Sequence, residues 1–162
     1  MQSVVQAVRA DLHNPTHAEA VIFLLNEYAK DEMGGGVELS PKVKQNLIPA
    51  LRDRSGCHVV LVFVDGKPAG LANCFEGFST FAGRPLLNIH DFAVVPEFRG
   101  RGISKKIMQK VEEIARHLNC CKITLEVLEG NKLAQAAYQA CGFAGYELDP
   151  KMGRAMFWQK KL

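Results

Sequence analysis

Nothing in this sequence approaches the ~20 consecutive apolar residues that a membrane-crossing helix needs, so no membrane association is expected. The opening Met1-Gln2-Ser3-Val4 has no basic stretch followed by an apolar one, so no signal peptide is expected either. Charge of one sign is scarce: 20 Lys and Arg face 17 Asp and Glu, a formal excess of +3. So small a surplus does not mark a nucleic-acid binder. The five cysteines, Cys57, Cys74, Cys120, Cys121 and Cys141, include no CxxC pair and no metal-ligand spacing. Two of them are adjacent, and neighbouring residues do not easily adopt relaxed disulfide geometry. Free thiols, a reducing cytoplasmic setting and no metal are the expectation. Repeats, linkers and low-complexity stretches are also missing, and the 48% apolar content excludes a disordered chain.

What is present is enough for one domain spanning 1–162, since a chain of about 150 residues buries roughly two thirds of its unfolded surface. Val4 to Ala10 reads as a strand. Asn14-Pro15-Thr16 opens a helix whose Val21, Leu24, Leu25 and Tyr28 share one face. Gly34-Gly35-Gly36 stops it. Ser40-Pro41 starts a second helix, which Pro49 shortens or kinks. His58 to Val64 and Ala69 to Phe75 flank Asp65-Gly66, a strong hairpin signal. Glu76 to Pro85 reads as a loop and Leu86 to Val95 as a strand. Ile103, Ile107, Met108, Val111, Ile114, Ala115 and Leu118 mark a long amphipathic helix. Lys122 to Val127 alternates as a strand, and Leu133, Ala137 and Tyr138 lie on a short helix ended by Gly142. Tyr146 to Leu148 and Ala155 to Gln159 read as a closing pair of strands. The class is mixed α/β.

The small surplus of charge is concentrated. Arg99, Arg101, Lys105, Lys106 and Lys110 supply a quarter of the basic residues within twelve positions. They surround Arg99-Gly100-Arg101-Gly102-Ile103-Ser104, where a strand passes through a glycine turn into a helix. The first amides of a helix lack intrahelical partners and sit at the positive end of its dipole. Glycines there admit a phosphate close to the backbone, so the segment is built as a diphosphate cradle. A dinucleotide fingerprint would need a third glycine where Lys105 stands, although Glu126 is placed tolerably for a ribose contact. A Walker A loop fails for want of Gly-Lys-Ser/Thr.

The run Arg99-x-x-Gly102-x-Ser104, after Ala93-Val94-Val95-Pro96, resembles the acetyl-CoA-binding signature of the GNAT superfamily of acetyltransferases, with Ser104 in place of the usual Gly or Ala. A second block, Leu125-Glu126-Val127-Leu128-Glu129-Gly130-Asn131, then Ala137-Tyr138 and Gly142-Phe143, is similar to that family's second segment. The resemblance implies the GNAT fold: a central mixed, mostly antiparallel twisted sheet flanked by helices, with a splayed pair of fourth and fifth strands. It implies transfer of an acetyl group from acetyl-CoA to a primary amine by direct attack, on a polyamine-like or other cationic small amine, or on a protein amine. It also allows a homodimer. A non-catalytic CoA-binding regulatory module is the alternative.

The site follows residue by residue from the same resemblance. Phe92, Ala93, Val94 and Val95 would offer backbone groups to the pantetheine arm. Arg99, Gly100, Arg101, Gly102, Ile103, Ser104 and Lys105 would hold the diphosphate, and Asn131 would lie on the CoA side or cap its own helix. Tyr138 stands where the family places its general acid. His90 falls where some relatives carry a base, and an imidazole can accept a proton at neutral pH. Alternation puts Asn88, His90 and Phe92 on one face and Asp91 on the other; Asp91 and Glu126 are rival bases. Tyr28, Asp31, Glu32 and Glu38 fall in the region that forms the acceptor side, where acids favour a cation. Phe78 and Phe81 would line the acceptor pocket or cover the sheet.

Overall fold

The computed structural model describes residues 3–162. They divide into two compact units, the first ending at Leu125 and the second covering Glu126–Leu162.

The first unit is a five-stranded sheet in the order β1 (Val5–Arg9), β2 (Cys57–Val64), β3 (Lys67–Ser79), β4 (Arg84–Val94) and β5 (Ile123–Leu125). All pairings are antiparallel except β4 with β5. That arrangement rules out the dinucleotide reading, which needs a mostly parallel sheet. The β2–β3 connection is the two-residue turn that Asp-Gly favours: Asp65 at φ 49° and Gly66 at φ 78° match the twist of the strands they join.

Three helices complete the unit: α1 (Pro15–Lys30), α2 (Pro41–Arg52) and α3 (Ile103–His117). Asn14 caps α1 by accepting from the Thr16 amide, and Ser40 caps α2 by accepting from the Val43 amide. Pro49 does not divide α2, which continues to Arg52. The strand β2 is apolar from Val59 to Val64 with every residue buried, because both faces of the sheet are covered. His17 of α1 approaches Phe63 on one face, at 6.0 Å between ring centroids. On the other, the apolar stripe of α3 (Ile103, Ile107, Val111, Ile114) is buried, each side chain contributing roughly 1.5–3 kcal/mol. Gly70 lets α3 come close: a Cβ there would lie 2.8 Å from Ile107 Cδ1 and 3.0 Å from Ile103 Cγ2.

Four elements differ from expectation. The segment 76–85 is a hairpin rather than a loop, since β3 runs to Ser79 and pairs it with Arg84. The strand expected over Lys122 to Val127 is only three residues long, and Glu126 lies beyond it. The closing strands do not form: Glu147 and Arg154 make one isolated bridge, and residues 155–162 carry no regular structure. A strand needs a ladder partner, and within the second unit this segment has none.

The fourth difference bears on the site. Between β3 and β4 the register steps from Asn73↔Asp91 to Cys74↔Ile89, leaving His90 as an extra residue. Such a bulge breaks the two-residue period. His90 meets Phe75 edge-on at 5.8 Å, and Asp91 bonds Asn73; Phe75 and Asn73, two apart on β3, share a face. His90 and Asp91 therefore lie on the same face, with Phe92 on the opposite one, which corrects the alternation expected from the sequence.

In the second unit Asn131 caps α4 (Lys132–Ala140) by accepting from the Ala134 amide at 3.1 Å. Tyr138 is buried, and its ring lies 6.1 Å from that of Phe143. Among the described residues no helix is long and apolar enough to cross a membrane.

Candidate active site

The site in the first unit grows from the end of β4. Parallel pairing with β5 stops at Ile89↔Leu125, while β4 continues to Val94 against β3 alone. From His90 onward one edge of β4 therefore has no ladder neighbour within the sheet, which is what a splayed pair of strands provides. Phe92, Ala93 and Val94 are half-buried along it, and the Val95 amide donates back to Ala69 O at 3.0 Å.

Beyond β4 a 3-10 turn, Pro96–Phe98, leads into the glycine segment. Gly100 and Gly102 both have φ 75°, a left-handed conformation that side chains disfavour. A Cβ at either would meet no atom within 4 Å, so both face open space. Gly102 is the cap residue of α3, and no side chain caps that helix. The first backbone bond of α3 is Lys106 N–H to Gly102 O at 3.2 Å, which leaves the amides of Ile103, Ser104 and Lys105 without helical acceptors. No acidic residue occupies the first turn. An uncapped, acid-free helix start approached through open backbone fits a diphosphate.

The basic side chains divide between tasks. Lys105 and Lys106 are exposed. Arg101 lies over the Phe98 ring at 5.5 Å. Arg99 donates through Nε to Val94 O at 3.1 Å and pairs through Nη2 with Asp31 Oδ2 at 3.3 Å. This ion pair joins the end of β4 to the turn after α1, and no local sequence signal announces it.

The opposite side of the site lies between α1 and β4. Tyr28 is half-buried, and its phenol is raised above its ordinary range by burial first, then by the negative charges of Asp91 and Asp31. Asp31 is held below the usual carboxylate range by the Met33 amide first and Arg99 second, against an opposing effect of burial. Asp91 Oδ2 accepts from Asn73 Nδ2 at 2.9 Å. Neighbouring Cys74 is fully buried, and desolvation pushes its thiol up to about 12.

The fold thus brings Tyr28, Asp31, His90, Asp91 and Arg99 to one region. It does not bring Phe78 there. Phe78 lies five residues along β3 from Asn73, about 16 Å at strand rise, and alternation turns it to the α3 face. Phe78 and Phe81 are exposed at the far end of the hairpin, and Glu32 is exposed after α1. Asn131, Tyr138 and Glu126 belong to the second unit. Asn73 was missed by sequence reasoning. Its signal was a lone amide inside the apolar run Leu71-Ala72-Asn73-Cys74.

Comparison with known proteins decides the family. Residues 21–143 match the model of the Acetyltransferase (GNAT) family. The chain belongs to that family. It is an acyl-CoA-dependent N-acetyltransferase, with acetyl-CoA as cosubstrate. A thialysine N-epsilon-acetyltransferase of Caenorhabditis elegans is 27% identical over 131 residues, 80% of this chain and 78% of that protein. The Bos taurus protein of the same name is 43% identical over 68 residues, spanning 42% and 39% of the two chains. An aminoglycoside N-acetyltransferase AAC(6')-Iy solved with CoA shares the fold at TM-score 0.75 and 18% identity, over 100% of this chain and 98% of that one. A possible acetyltransferase from Clostridium difficile 630 superposes at TM-score 0.77 and 20% identity, covering 98% and 99%.

Proposed function

We propose that this acetyltransferase acts on a small cationic primary amine received on the α1 side of β4. Its ammonium would be held by Asp91 and its proton accepted by His90. The observation that carries the reading is the bulge at His90, which sets an imidazole and a carboxylate side by side on one face beside the open edge of β4. An ammonium must lose a proton before its nitrogen can attack, and an exposed imidazole is able to accept it. Tyr28 and Asp31 add a neutral phenol and a negative charge on the same side, which favours a cationic acceptor. The thialysine acetyltransferases point the same way, since their name specifies the side-chain amine of a lysine analogue.

Acetyl-CoA supplies the acyl group as a thioester. The residues offered to it are the α3 amides of Ile103, Ser104 and Lys105, the glycines Gly100 and Gly102, and the free edge at Phe92 to Val95. Tyr138 is proposed as the acid that protonates the departing thiolate, on the strength of its motif. The reading extends to a cytoplasmic setting, which the free cysteines favour, and to a homodimer, which the exposed Phe157 and Trp158 favour.

A panel of amines assayed by release of CoA thiol tests the acceptor class. Thialysine, lysine and polyamines should be acetylated ahead of neutral or anionic amines. Equal rates on an amine carrying an adjacent carboxylate and no second cation would refute the cationic reading. His90→Gln should remove the acidic limb of the kcat/KM profile; a persisting limb would put the base elsewhere.

A further inference from the structure

We propose that Asn73 is a positioning residue, holding the carboxylate of Asp91 in the orientation that receives the amine. The inference rests on the role of Asp91 just proposed and adds a residue that the reading does not itself require.

Asn73 lies in the middle of β3 and is 2% exposed. Its strand neighbours Leu71, Ala72 and Cys74 are completely buried, and its β2 partner is Val59. The site is apolar, and a β-branched or aliphatic side chain would suit it better than an amide. The amide makes one side-chain bond, from Nδ2 to Asp91 Oδ2 at 2.9 Å. An ionised carboxylate only accepts, so the NH2 end must face it. That leaves Oδ1 pointing elsewhere, and it is fully buried with no hydrogen-bond partner.

An unpartnered buried acceptor lowers stability, and most proteins avoid one. Its presence requires an explanation outside the folding ledger. Asp91 gives it. Asp91 sits beside the bulge at His90, where the ladder is broken and backbone pairing constrains its direction least. The Asn73 donor restores that constraint from the neighbouring strand. The negative charge of Asp91 is one of the causes that raise the Tyr28 phenol of α1, so carboxylate and phenol lie on the same side of the sheet. A carboxylate with one oxygen tied to β3 keeps its other oxygen available for one ammonium.

Two substitutions, each made alone and with Asp91→Asn, test this with thialysine as acceptor, each substrate being varied while the other is saturating. Asn73→Leu removes the donor and the orphan acceptor together. Asn73→Ala removes them without adding bulk. Each should raise the KM for thialysine about tenfold, the scale of one weakened hydrogen bond, with kcat within about twofold and the KM for acetyl-CoA unchanged. In the Asp91→Asn background neither should have a further effect, because the residue acts through Asp91. The thermal midpoint of Asn73→Leu should equal or exceed that of the parent. In crystals of both variants the Asp91 carboxylate should turn away from its parent orientation.

An unchanged KM for thialysine in both Asn73 variants, with KM raised in Asp91→Asn, would overturn the positioning role and leave the Asp91 reading standing. Equal rises in both backgrounds would overturn it too, since Asn73 would then act by another route. An unmoved Asp91 in the crystals has the same consequence. No effect of Asp91→Asn itself would remove the reading of Asp91 and this inference together.

Discussion

Gly70→Ala tests whether the packing of α3 on the sheet sets the cosubstrate site, because Gly70 is not itself among the residues offered to acetyl-CoA. The new methyl would lie 2.8 Å from Ile107 Cδ1, 3.0 Å from Ile103 Cγ2 and 3.0 Å from the Ala93 carbonyl oxygen. Ordinary carbon contacts are about 3.5–4.0 Å, so something must retreat by roughly half an ångström. Ile107 Cδ1 is the end of a flexible side chain and can swing. The Ala93 carbonyl is part of β4, and the β-branched Ile103 is stiff at χ1. The first turn of α3 is therefore what moves. Overpacking of this kind costs about 1–3 kcal/mol, and the stiffer unfolded chain returns about 0.4–1 kcal/mol. A net loss of about 1–2 kcal/mol lowers the midpoint of a chain this size by about 2–8 °C.

The same movement displaces the Ile103, Ser104 and Lys105 amides. Charge-assisted bonds contribute about 1.5–3 kcal/mol each; if three lose about a fifth of that, the total is about 1 kcal/mol. The KM for acetyl-CoA should then rise about fivefold, with the KM for the amine changing less than twofold. Differential scanning calorimetry and initial-rate kinetics read both quantities. A midpoint that falls as expected with an unchanged KM for acetyl-CoA would refute the link between helix seating and the phosphate site. A midpoint that does not fall would refute the packing argument itself.

Other outcomes are equally concrete. Tyr138→Phe should lower kcat by about 10²–10⁴, the scale of general-acid catalysis; an unchanged kcat on a confirmed acceptor would remove Tyr138 from that role. Asp31 has a folded-state pKa below its unfolded value, so its contribution to stability is present above the unfolded value and lost as pH falls through the lower folded one. Urea midpoints of Asp31→Ala and the parent, measured at neutral pH and again near pH 2, should converge at the acid end; a constant gap would contradict this. Cys74, its thiol raised to about 12, should resist thiol reagents in the native protein and react only on unfolding, as peptide mapping would show. Labelling of Cys74 at the rate of an exposed thiol would contradict its burial.

The sequence by itself determined the elements whose signals are local. The Asp65-Gly66 hairpin, the Asn14 and Ser40 caps, the apolar stripe of α3 and the glycine entry to it all depend on residues within a few positions of one another. The strand, glycine turn and helix start of the segment proposed for acetyl-CoA were legible for the same reason, since they are contiguous in one run of residues. Only the tertiary structure decided what depends on a neighbouring strand. The bulge at His90 arises from the register with β3, and no property of β4 alone marks which residue is extra. That single insertion moved Asp91 to the face of His90 and sent Phe92 to the other. The pairing of Arg99 with Asp31 spans 68 positions, and the bond from Asn73 to Asp91 spans 18. Side-chain chemistry could be listed from the sequence, but which groups meet is set by strand register and helix packing, and those are properties of the folded chain.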